Sequence, residues 1–367
     1  MTTLRLLADD LTGALDTAAE FVGLTGPVHA YWQGVRPGAL PPNAALDTGT
    51  REAGEAAARA AVAAATPTLA GAGIAYKKLD SLLRGHTLAE LAACFATGVW
   101  RHAVLAPAFP FQGRVTRGGR QWVADGAGWT PAGPPLVDAL RALGMTVQRG
   151  CPGAALVPGV TVFDAETDAD LDAVAVAVAA AGAPMLWCGT GGLARALAAG
   201  HPRPALPPLP RPALGLFGSD QAVTAGQLAA CAEHWTAVPH GGAEHAAHLA
   251  RRLGRDGIAL ASLDLPPGLS RAEAARRIGA ELCRLVHTLP PPGTLIAAGG
   301  ETLRGLCIAL GAESLLVQGR AVPGVPVSIL RGGRWDGVTV VSKSGAFGHP
   351  TLLRDLLRLP ELERTAP

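Results

Sequence analysis

Residues 4–16 read LRLLADDLTGALD, an apolar run that ends in two aspartates and passes directly into an alanine-rich stretch. An apolar strand followed at once by a helix is typical of the first β–α unit of an α/β domain. In such domains ligands bind beyond the carboxyl ends of the strands. We therefore predict a strand over 4–8, and we expect Asp9 and Asp10 at a binding site. One of the two aspartates is expected to cap the helix.

The same alternation continues along the chain. Short apolar runs alternate with stretches of helical periodicity, which favours α/β architecture with mostly parallel sheets flanked by helices. The predicted strands are 4–8, 28–32, 44–46, 74–78, 103–106, 160–163, 184–188, 214–217, 258–263, 294–298 and 338–342. The predicted helices are 13–24, 51–65, 87–97, 167–181, 192–199, 222–234, 270–288 and 302–311.

A proline-rich segment interrupts this pattern. HPRPALPPLPRPAL, residues 201–214, carries six prolines and can form neither a helix nor a central strand. Such segments are stiff, extended linkers between domains. We predict an N-terminal domain over 1–200, a linker over 201–213 and a C-terminal domain over 214–367.

Composition excludes several classes of protein. The formal charge of the 367 residues is +2, which argues against a protein that coats nucleic acid or an anionic membrane. The longest uncharged apolar run, 173–188, is shorter than the ~20 residues of a spanning helix. The N-terminus lacks the apolar stretch of a secretory signal, and the six cysteines form no C-x-x-C pair. We predict a cytoplasmic protein without nucleic-acid or membrane partners, and leave open whether it forms a homo-oligomer.

Cationic residues surround a second carboxylate in YKKLDSLLRGH, residues 76–86. Lys78 and Arg84 lie close in sequence to Asp80 and Ser81. Arginine offers a planar fork that suits a carboxylate, and lysine offers a point charge. The motif therefore predicts a grip on an acidic small molecule.

A glycine- and arginine-rich loop follows the predicted strand 103–106. APAFPFQGRVTRGGRQWV, residues 106–123, includes Arg114 and Gly119 and suits contact with an anion. The near-neutral chain and the lack of interleaved aromatic residues weigh against a nucleic-acid site here.

A possible dinucleotide fingerprint occurs in CGTGGLARALA, residues 188–198. Gly189, Gly191 and Ala194 fit G-x-G-x-x-A after a strand. The fingerprint also expects an acidic residue ~20 positions further on to hold the ribose. None occurs between Gly189 and Ser219. We interpret the motif as a tight strand–helix turn, not an NAD site.

Three glycine turns follow predicted strands of the C-terminal domain: GSDQAVT (218–224), GGETLRGL (299–306) and SKSGAFG (342–348). Backbone N–H groups at such turns and at helix N-termini bind phosphates. Lys343 could neutralise phosphate charge. Three such turns on one domain predict a nucleotide site, although no G-x-x-x-x-G-K-[ST] motif occurs.

The densest histidine group is His240, His245 and His248. A zinc site there would need further ligands, and the sequence shows none at suitable spacing. We interpret the group as a solvated helical face.

Taken together, ADDLTGALD, ALDTGTRE (residues 45–52), KKLDSLLRGH, APAFPFQGRVTRGG, GTGGLARALA, GGETLRGL and SKSGAFG resemble the blocks of the four-carbon acid sugar kinase family, in family order. The resemblance implies a two-domain α/β kinase. Its N-terminal domain would bind a sugar acid and its C-terminal domain would bind ATP with Mg²⁺. No residue is assigned to the metal.

The motifs and the resemblance together give a set of candidate site residues. The catalytic candidates are Asp10 and Asp80. The candidates for substrate binding are Asp9, Lys78, Ser81, Arg84, Arg114 and Gly119. The candidates for nucleotide binding are Ser219, Gly299, Gly300, Glu301, Thr302, Lys343, Gly345 and Gly348.

The chain departs from the family pattern on the substrate side. Leu82 and His86 stand where the family commonly has threonine and asparagine, and Phe111 replaces a small or acidic residue. The resemblance implies phosphorylation of the terminal hydroxyl of a 3-oxo-tetronate, a threonate or an erythronate. The departures leave open which of these acids is the substrate. A non-catalytic sensor of sugar acids and an NAD-dependent oxidoreductase are the alternatives.

Overall fold

A computed structural model describes residues 2–32, 40–98, 100–126, 128–151, 156–179, 184–218, 221–266 and 268–359. The chain forms two compact units, Met1–Pro204 and Ala205–Pro367. The division falls inside the proline-rich segment. Both units are α/β, as the alternating pattern predicts. Within the described ranges, no helix is both long enough and apolar enough to cross a membrane.

The first unit contains strands and helices in alternation. Its strands are β1 Leu4–Ala8, β2 Val28–Tyr31, β3 Ala44–Asp47, β4 Ile74–Lys78, β5 His102–Ala106, β6 Arg114–Arg117, β7 Arg120–Ala124, β8 Trp129–Ala132, β9 Val147–Gly150, β10 Gly159–Phe163 and β11 Met185–Gly189. Its helices are α1 Leu11–Thr25, α2 Glu55–Ala65, α3 Thr87–Thr97, α4 Leu136–Ala142, α5 Asp168–Ala179 and α6 Gly191–Leu197. Short 3₁₀ turns lie at Thr66–Leu69 and Pro110–Gln112.

The main sheet of this unit is parallel, in the order β2-β3-β1-β4-β11-β5-β10-β9. Leu7, Leu105 and Leu186 come from three of its strands and pack in one buried core. Strands covered on both faces read as continuous apolar runs, which is why the sequence identifies them well. Strands β6, β7 and β8 form a separate antiparallel sheet.

The strand order creates a crevice between β1 and β4. The chain leaves β1 through α1 toward β2 on one side, and leaves β4 through α3 toward β5 on the other. Neighbouring strands whose connections diverge in this way form the topological switch point at which α/β sheets bind ligands. Asp9 and Asp10 follow β1 directly, and Asp80 closely follows β4.

The second unit has the same construction. Its strands are β12 Ala213–Phe217, β13 Trp235–Val238, β14 Ile258–Leu263, β15 Thr294–Ala298, β16 Ser314–Val322, β17 Val325–Arg331 and β18 Thr339–Lys343. Its helices are α7 Ala222–Ala229, α8 Ala243–Asp256, α9 Arg271–Thr288, α10 Gly300–Ala309 and α11 Leu352–Leu356, with a 3₁₀ turn at Ala232–His234. Ser270 and Glu273 form the capping box that starts α9.

The strands of this unit lie in the order β13-β14-β12-β15-β18-β17-β16. The first five are parallel, and β17 and β16 are antiparallel to their neighbours. The connection from β12 leads to β13 on one side, and the connection from β15 leads to β16 on the other. The switch point of this unit therefore lies between β12 and β15.

Several details differ from the sequence predictions, since strands β6 to β9 and β13 and helices α4, α8 and α11 were not predicted. The helix predicted over 222–234 ends at Ala229, and a 3₁₀ turn follows it. Strands β16 and β17 were not predicted, because Pro323 and Pro326 argue against a strand there. The structure accommodates Pro326 opposite Arg320, beside a register shift in β16.

Candidate functional site

Arg51 is the centre of the polar cluster at the switch point of the first unit. Its guanidinium donates to both carboxylate oxygens of Asp9 at 2.9 Å and pairs with Asp10 at 2.8 Å. It also lies 3.3 Å from Asp80. The backbone N–H groups of Thr50 and Arg51 donate to the Asp9 carbonyl and fix the loop after β3. One side chain thus gathers three carboxylates.

Both carboxylate oxygens of Asp80 accept hydrogen bonds within this cluster. Its Oδ1 accepts hydrogen bonds from the backbone of Leu82 and from Nε of Arg84, and its Oδ2 accepts from Arg84 at 2.7 Å. Burial would raise the pKa of Asp80, but the hydrogen bonds from Arg84 and the charge of Arg51 outweigh it. They hold the pKa of Asp80 well below its usual range, so this carboxylate is a weak base.

Asp10 has a different environment. It caps α1, with Oδ1 accepting the Gly13 N–H at 2.9 Å, while Oδ2 faces Arg51. Burial raises the pKa of Asp10 above its usual range, against the opposing charge of Arg51. A Cβ on Gly13 would lie 2.5 Å from Asp10 Oδ1 and 3.1 Å from Lys78 Nζ, so glycine is needed for this close approach.

Lys78 and Lys77 point in different directions, as neighbouring residues of a strand do. Lys78 is buried and donates to the carbonyl of Leu79 at 2.9 Å. Lys77 pairs with the buried Glu90 at 2.8 Å, and Thr50 donates to the same carboxylate. The charge of Lys78 acts on Asp10 and Asp80, whereas the ion pair of Lys77 with Glu90 links the Arg51 loop to α3.

Sequence reasoning missed two residues of this cluster. Arg51 lies in a recognised block, ALDTGTRE, but an arginine in a loop carries no periodic signal. Asp16 lies on α1 and interacts electrostatically with Lys78 and Asp10. Burial raises the pKa of Asp16 to about 6.

Two more arginines extend the cationic side. Arg84 is 57% exposed beyond its pair with Asp80, so it can turn toward a ligand. Arg114 is half-buried and interacts electrostatically with Asp80 and Arg84. Its guanidinium also donates a hydrogen bond to the side-chain oxygen of Gln112. Its buried Nε has no hydrogen-bond partner within the described part of the chain. Buried donors without a partner are rare, which makes Arg114 a candidate ligand contact.

Ser81 and Gly119 have structural partners of their own. The carbonyl of Ser81 accepts a hydrogen bond from Gln121 at 3.0 Å. Gly119 lies in the β6–β7 turn with a φ of +71°, and its N–H donates to Asp164 at 2.8 Å. Its carbonyl accepts from Leu136. No described contact joins Gly119 to the aspartate cluster.

Three loops meet at the switch point of the second unit. Gly218 follows β12, and a Cβ there would lie 2.9 Å from Oγ1 of Thr302 on α10. Gly299 opens α10 with a φ of +93°, and its N–H donates to the carbonyl of Lys343 at 2.8 Å. Gly300 is the first residue of α10. Helix N-termini and glycine turns at one crevice are suited to phosphate.

Lys343 is the buried centre of the third loop. Its Nζ donates to Thr224 Oγ1 at 3.1 Å and to the carbonyls of Ser344 and Phe347 at 3.0 and 3.2 Å, and lies 3.4 Å from the carbonyl of Gly345. Burial lowers the pKa of Lys343 to about 8. Thr224, which sequence reasoning did not single out, also donates to the Gly345 carbonyl at 2.7 Å.

Gln227 holds the far end of the same loop. From α7 its amide donates to the carbonyls of Phe347 and His349 at 3.1 and 3.0 Å. Gly348 lies between them with a φ of +99°, and a Cβ there would lie 2.9 Å from Gln227 Nε2. A lone glutamine inside a helix gives no sequence signal, so Gln227 could not have been predicted.

The remaining nucleotide candidates are less enclosed. Glu301 is 73% exposed in the first turn of α10 and pairs with Arg304 at 2.6 Å. Ser219 lies outside the described residues, as does the end of the helix predicted over 167–181.

The G-x-G-x-x-A motif forms a tight turn. Thr190 caps α6 by accepting the Gly192 N–H, and its carbonyl accepts the hydroxyl of Tyr76 at 2.6 Å. A Cβ on Gly189 would lie 2.8 Å from the Ala106 carbonyl. Close packing of strands and helix explains these glycines without a dinucleotide.

The histidine group proved different in one respect. Glu244 joins His240 and His245, with one ligand atom of each within 4.8 Å, so the prediction that no further ligand was available is wrong. The Gly242 N–H donates to Nδ1 of His240, which leaves the ring proton on Nε2, 3.4 Å from Glu244. Glu244 lies 3.4 Å from His240 and 3.8 Å from His245, and His248 is not part of the group.

Comparison with known domains agrees with this division of labour. Residues 4–148 match the model of a sugar-binding N-terminal domain, and residues 214–353 match the model of a nucleotide-binding C-terminal domain. These two ranges contain the two switch points.

Two named relatives cover much of the chain. A D-threonate kinase of Cupriavidus necator is 34% identical over 327 residues, which span 76% of this chain and 78% of the relative. A D-threonate kinase of Bordetella bronchiseptica is 31% identical over an alignment 396 positions long, which covers 95% of this chain and 95% of the relative. The fold and the two crevices define a two-domain α/β protein of the sugar-kinase class. The chain belongs to the four-carbon acid sugar kinase family.

Solved structures share the fold. A protein of Salmonella typhimurium LT2 has a TM-score of 0.77 at 22% identity, and a protein of Haemophilus influenzae has a TM-score of 0.69 at 20% identity. Each comparison covers 97% of this chain and 99% of the other. At this level of identity they support the architecture alone.

Proposed function

We propose that the protein transfers the γ-phosphoryl group of ATP to the terminal hydroxyl of a four-carbon sugar acid, with D-threonate as the first candidate. The observation that carries the proposal is the Arg51 cluster at the switch point of the first unit. Its cations are Lys78, Arg51, Arg84 and Arg114, and its carboxylates are Asp9, Asp10, Asp16 and Asp80. Two of the cations can take a further anion, because Arg84 is 57% exposed and the buried Nε of Arg114 has no partner among the described residues. Such a site favours a small acid and offers carboxylates to its hydroxyls.

Arg84 and Arg114 are the proposed anchors of the substrate carboxylate. Both have N–H groups available, Arg84 on its exposed side and Arg114 at its unpartnered Nε. Two guanidinium groups that share one carboxylate fix its plane as well as its position. The hydroxyl end of a four-carbon chain would then extend toward Asp10.

Asp10 is the better of the two candidates for the base. The oxygens of Asp80 are occupied by Arg84 and its pKa is held low, whereas burial raises the pKa of Asp10. In the proposed step the hydroxyl oxygen attacks the γ-phosphorus, the bond to the β–γ bridging oxygen breaks, and the hydroxyl proton passes to Asp10. Asp80 would keep the arginines in place.

The nucleotide is proposed to bind at the switch point of the second unit. The first turn of α10 and the loop after β18 offer backbone N–H groups, which suit phosphate oxygens. When bound with the nucleotide, Mg²⁺ would offset the negative charge of the phosphates. The aspartates of the first unit fit the metal poorly because guanidinium groups occupy their oxygens. Glu301, at the start of α10, also has both oxygens paired with a guanidinium, that of Arg304, so none of these residues is assigned to the metal.

One experiment separates this proposal from its rivals. The protein is incubated with Mg-ATP and a panel of threonate, erythronate and 3-oxo-tetronate isomers, and ADP release is followed. Turnover with one acid supports the proposal. Binding of an acid and ATP without ADP release would favour the sensor. Thermal stabilisation by NAD but not by ATP would favour the oxidoreductase, and would contradict our interpretation of the Gly189 motif as a structural turn.

A further inference from the structure

We propose that Lys343 is a positioning residue that folds the loop over residues 344–347 into a phosphate cradle, and that it does not itself contact the nucleotide. The inference rests on the proposed function of this crevice. It assigns the contact with phosphate to two backbone N–H groups, those of Gly345 and Ala346.

The Lys343 ammonium has no donor to spare. An ammonium has three N–H groups, and four oxygens surround this one: the Thr224 hydroxyl and the carbonyls of Ser344, Gly345 and Phe347. The residue is 2% exposed. No carboxylate among the described residues pairs with it. A phosphate oxygen would have to displace one of these partners.

The geometry of the peptide bond gives the ammonium its effect on the loop. In a trans peptide the C=O and the following N–H point in opposite directions. Because the Ser344 and Gly345 carbonyls turn toward Lys343, the N–H groups of Gly345 and Ala346 point away from it. Neither N–H donates to an acceptor within the described residues. Two successive N–H groups directed outward form an anion-binding concavity.

Thr224 and Gln227 support the same arrangement from α7. The Thr224 hydroxyl accepts from Lys343 and donates to the Gly345 carbonyl, so it fixes the second of the two peptides. Gln227 holds the next turn of the loop by its hydrogen bond to the Phe347 carbonyl. Thr224 is fully buried and its hydroxyl is used twice within the protein. It therefore provides a test residue that acts only through the loop.

The test compares Lys343→Met and Thr224→Val with the wild type by titration calorimetry, using ATP, ADP and adenosine. If the residues act by positioning, both variants weaken ATP and ADP, each by about 10- to 100-fold, the range expected for lost hydrogen bonds to a charged group. Adenosine, which lacks phosphate, and the sugar acid should bind unchanged. If Lys343→Met weakens ATP while Thr224→Val has wild-type affinity, Lys343 contacts the phosphate directly and the inference is wrong.

A second measurement needs no nucleotide. The Phe347 N–H donates to the Ser344 carbonyl at 3.1 Å, so its hydrogen exchange reports whether the loop is folded. We expect faster exchange at Phe347 in both variants, and unchanged exchange in either would contradict the inference. A wild type that binds no nucleotide would overturn the proposed function and the role of the cradle. Hydrogen exchange of the Phe347 N–H would then still show whether Lys343 folds the loop.

Discussion

Replacement of Arg51 by methionine should destabilise the N-terminal unit and abolish turnover. The substitution keeps an apolar side chain of similar length but removes the charge that three carboxylates share, at 2.9, 2.8 and 3.3 Å. Removing one partner of a buried ion pair costs about 3–5 kcal/mol. Because the Arg51 side chain is 17% exposed, we expect about 3 kcal/mol, the lower end of that range.

Urea unfolding followed by circular dichroism measures this loss, since urea, unlike guanidinium chloride, does not screen ion pairs. The destabilisation should be largest near pH 7 and smaller near pH 5. Without Arg51 the pKa values of the buried aspartates rise in the folded state, so protonation relieves their repulsion as the pH falls. Arg51→Lys keeps the charge but not the fork, and should retain most of the stability with little activity.

Arg117→Met is the matched control. Arg117 also forms a fork with a carboxylate, Glu166, but both side chains are about half exposed. Exposed ion pairs contribute little to the free energy of unfolding, so this variant should have the same stability as the wild type in urea. A loss of less than 1 kcal/mol in Arg51→Met, or a loss that does not depend on pH, would refute the assignment of Arg51 as the shared counter-ion.

Three further predictions concern the chemistry of the two crevices. Asp10→Asn should reduce kcat by at least 100-fold with a nearly unchanged KM for the acid, because it removes the base. Asp80→Asn should mainly raise the KM for the acid. Steady-state kinetics that show the reverse pattern would exchange the roles of the two aspartates. The KM for ATP should rise above about pH 8, where the buried Lys343 loses its proton; a flat pH profile up to 10 would contradict this. Gly348→Ala should weaken ATP binding, because a Cβ would come within 2.4 Å of the first residue of α11, whereas Gly226→Ala, with open space around it, should leave binding unchanged by calorimetry.

Most of the parallel strands could be predicted closely because burial on both faces makes them continuous apolar runs. The parallel edge strands β9 and β13 are partly exposed and were missed. LRLLA at 4–8, IAYKK at 74–78 and TLIAA at 294–298 coincide with β1, β4 and β15. Their positions also indicated where ligands bind, because the carboxyl ends of parallel strands share one edge of a sheet. The antiparallel strands were missed since β6 to β8 are short and partly exposed, and β17 contains Pro326.

The candidate site could be predicted only where polar residues lie at the end of a strand or just beyond it. Asp9 and Asp10 follow β1, Lys343 is the last residue of β18, and the structure surrounds each with site partners. Arg51 and Gln227 contribute through contacts with residues distant in sequence, and no local pattern reports such contacts. The roles of Asp10 and Asp80 also depended on the fold, because burial raises the pKa of Asp10, whereas Arg84 and Arg51, which the loops bring to Asp80, lower the pKa of Asp80.

The most direct test of the central claim is the identity of the product formed from Mg-ATP and D-threonate. We predict ADP and a phosphorylated acid in equal amounts, with the phosphate on the terminal hydroxyl, as shown by phosphorus–proton coupling in the NMR spectrum. Asp10→Asn should form this product at least 100-fold more slowly. ADP without a phosphorylated acid, or a phosphate on any other oxygen, would contradict the account.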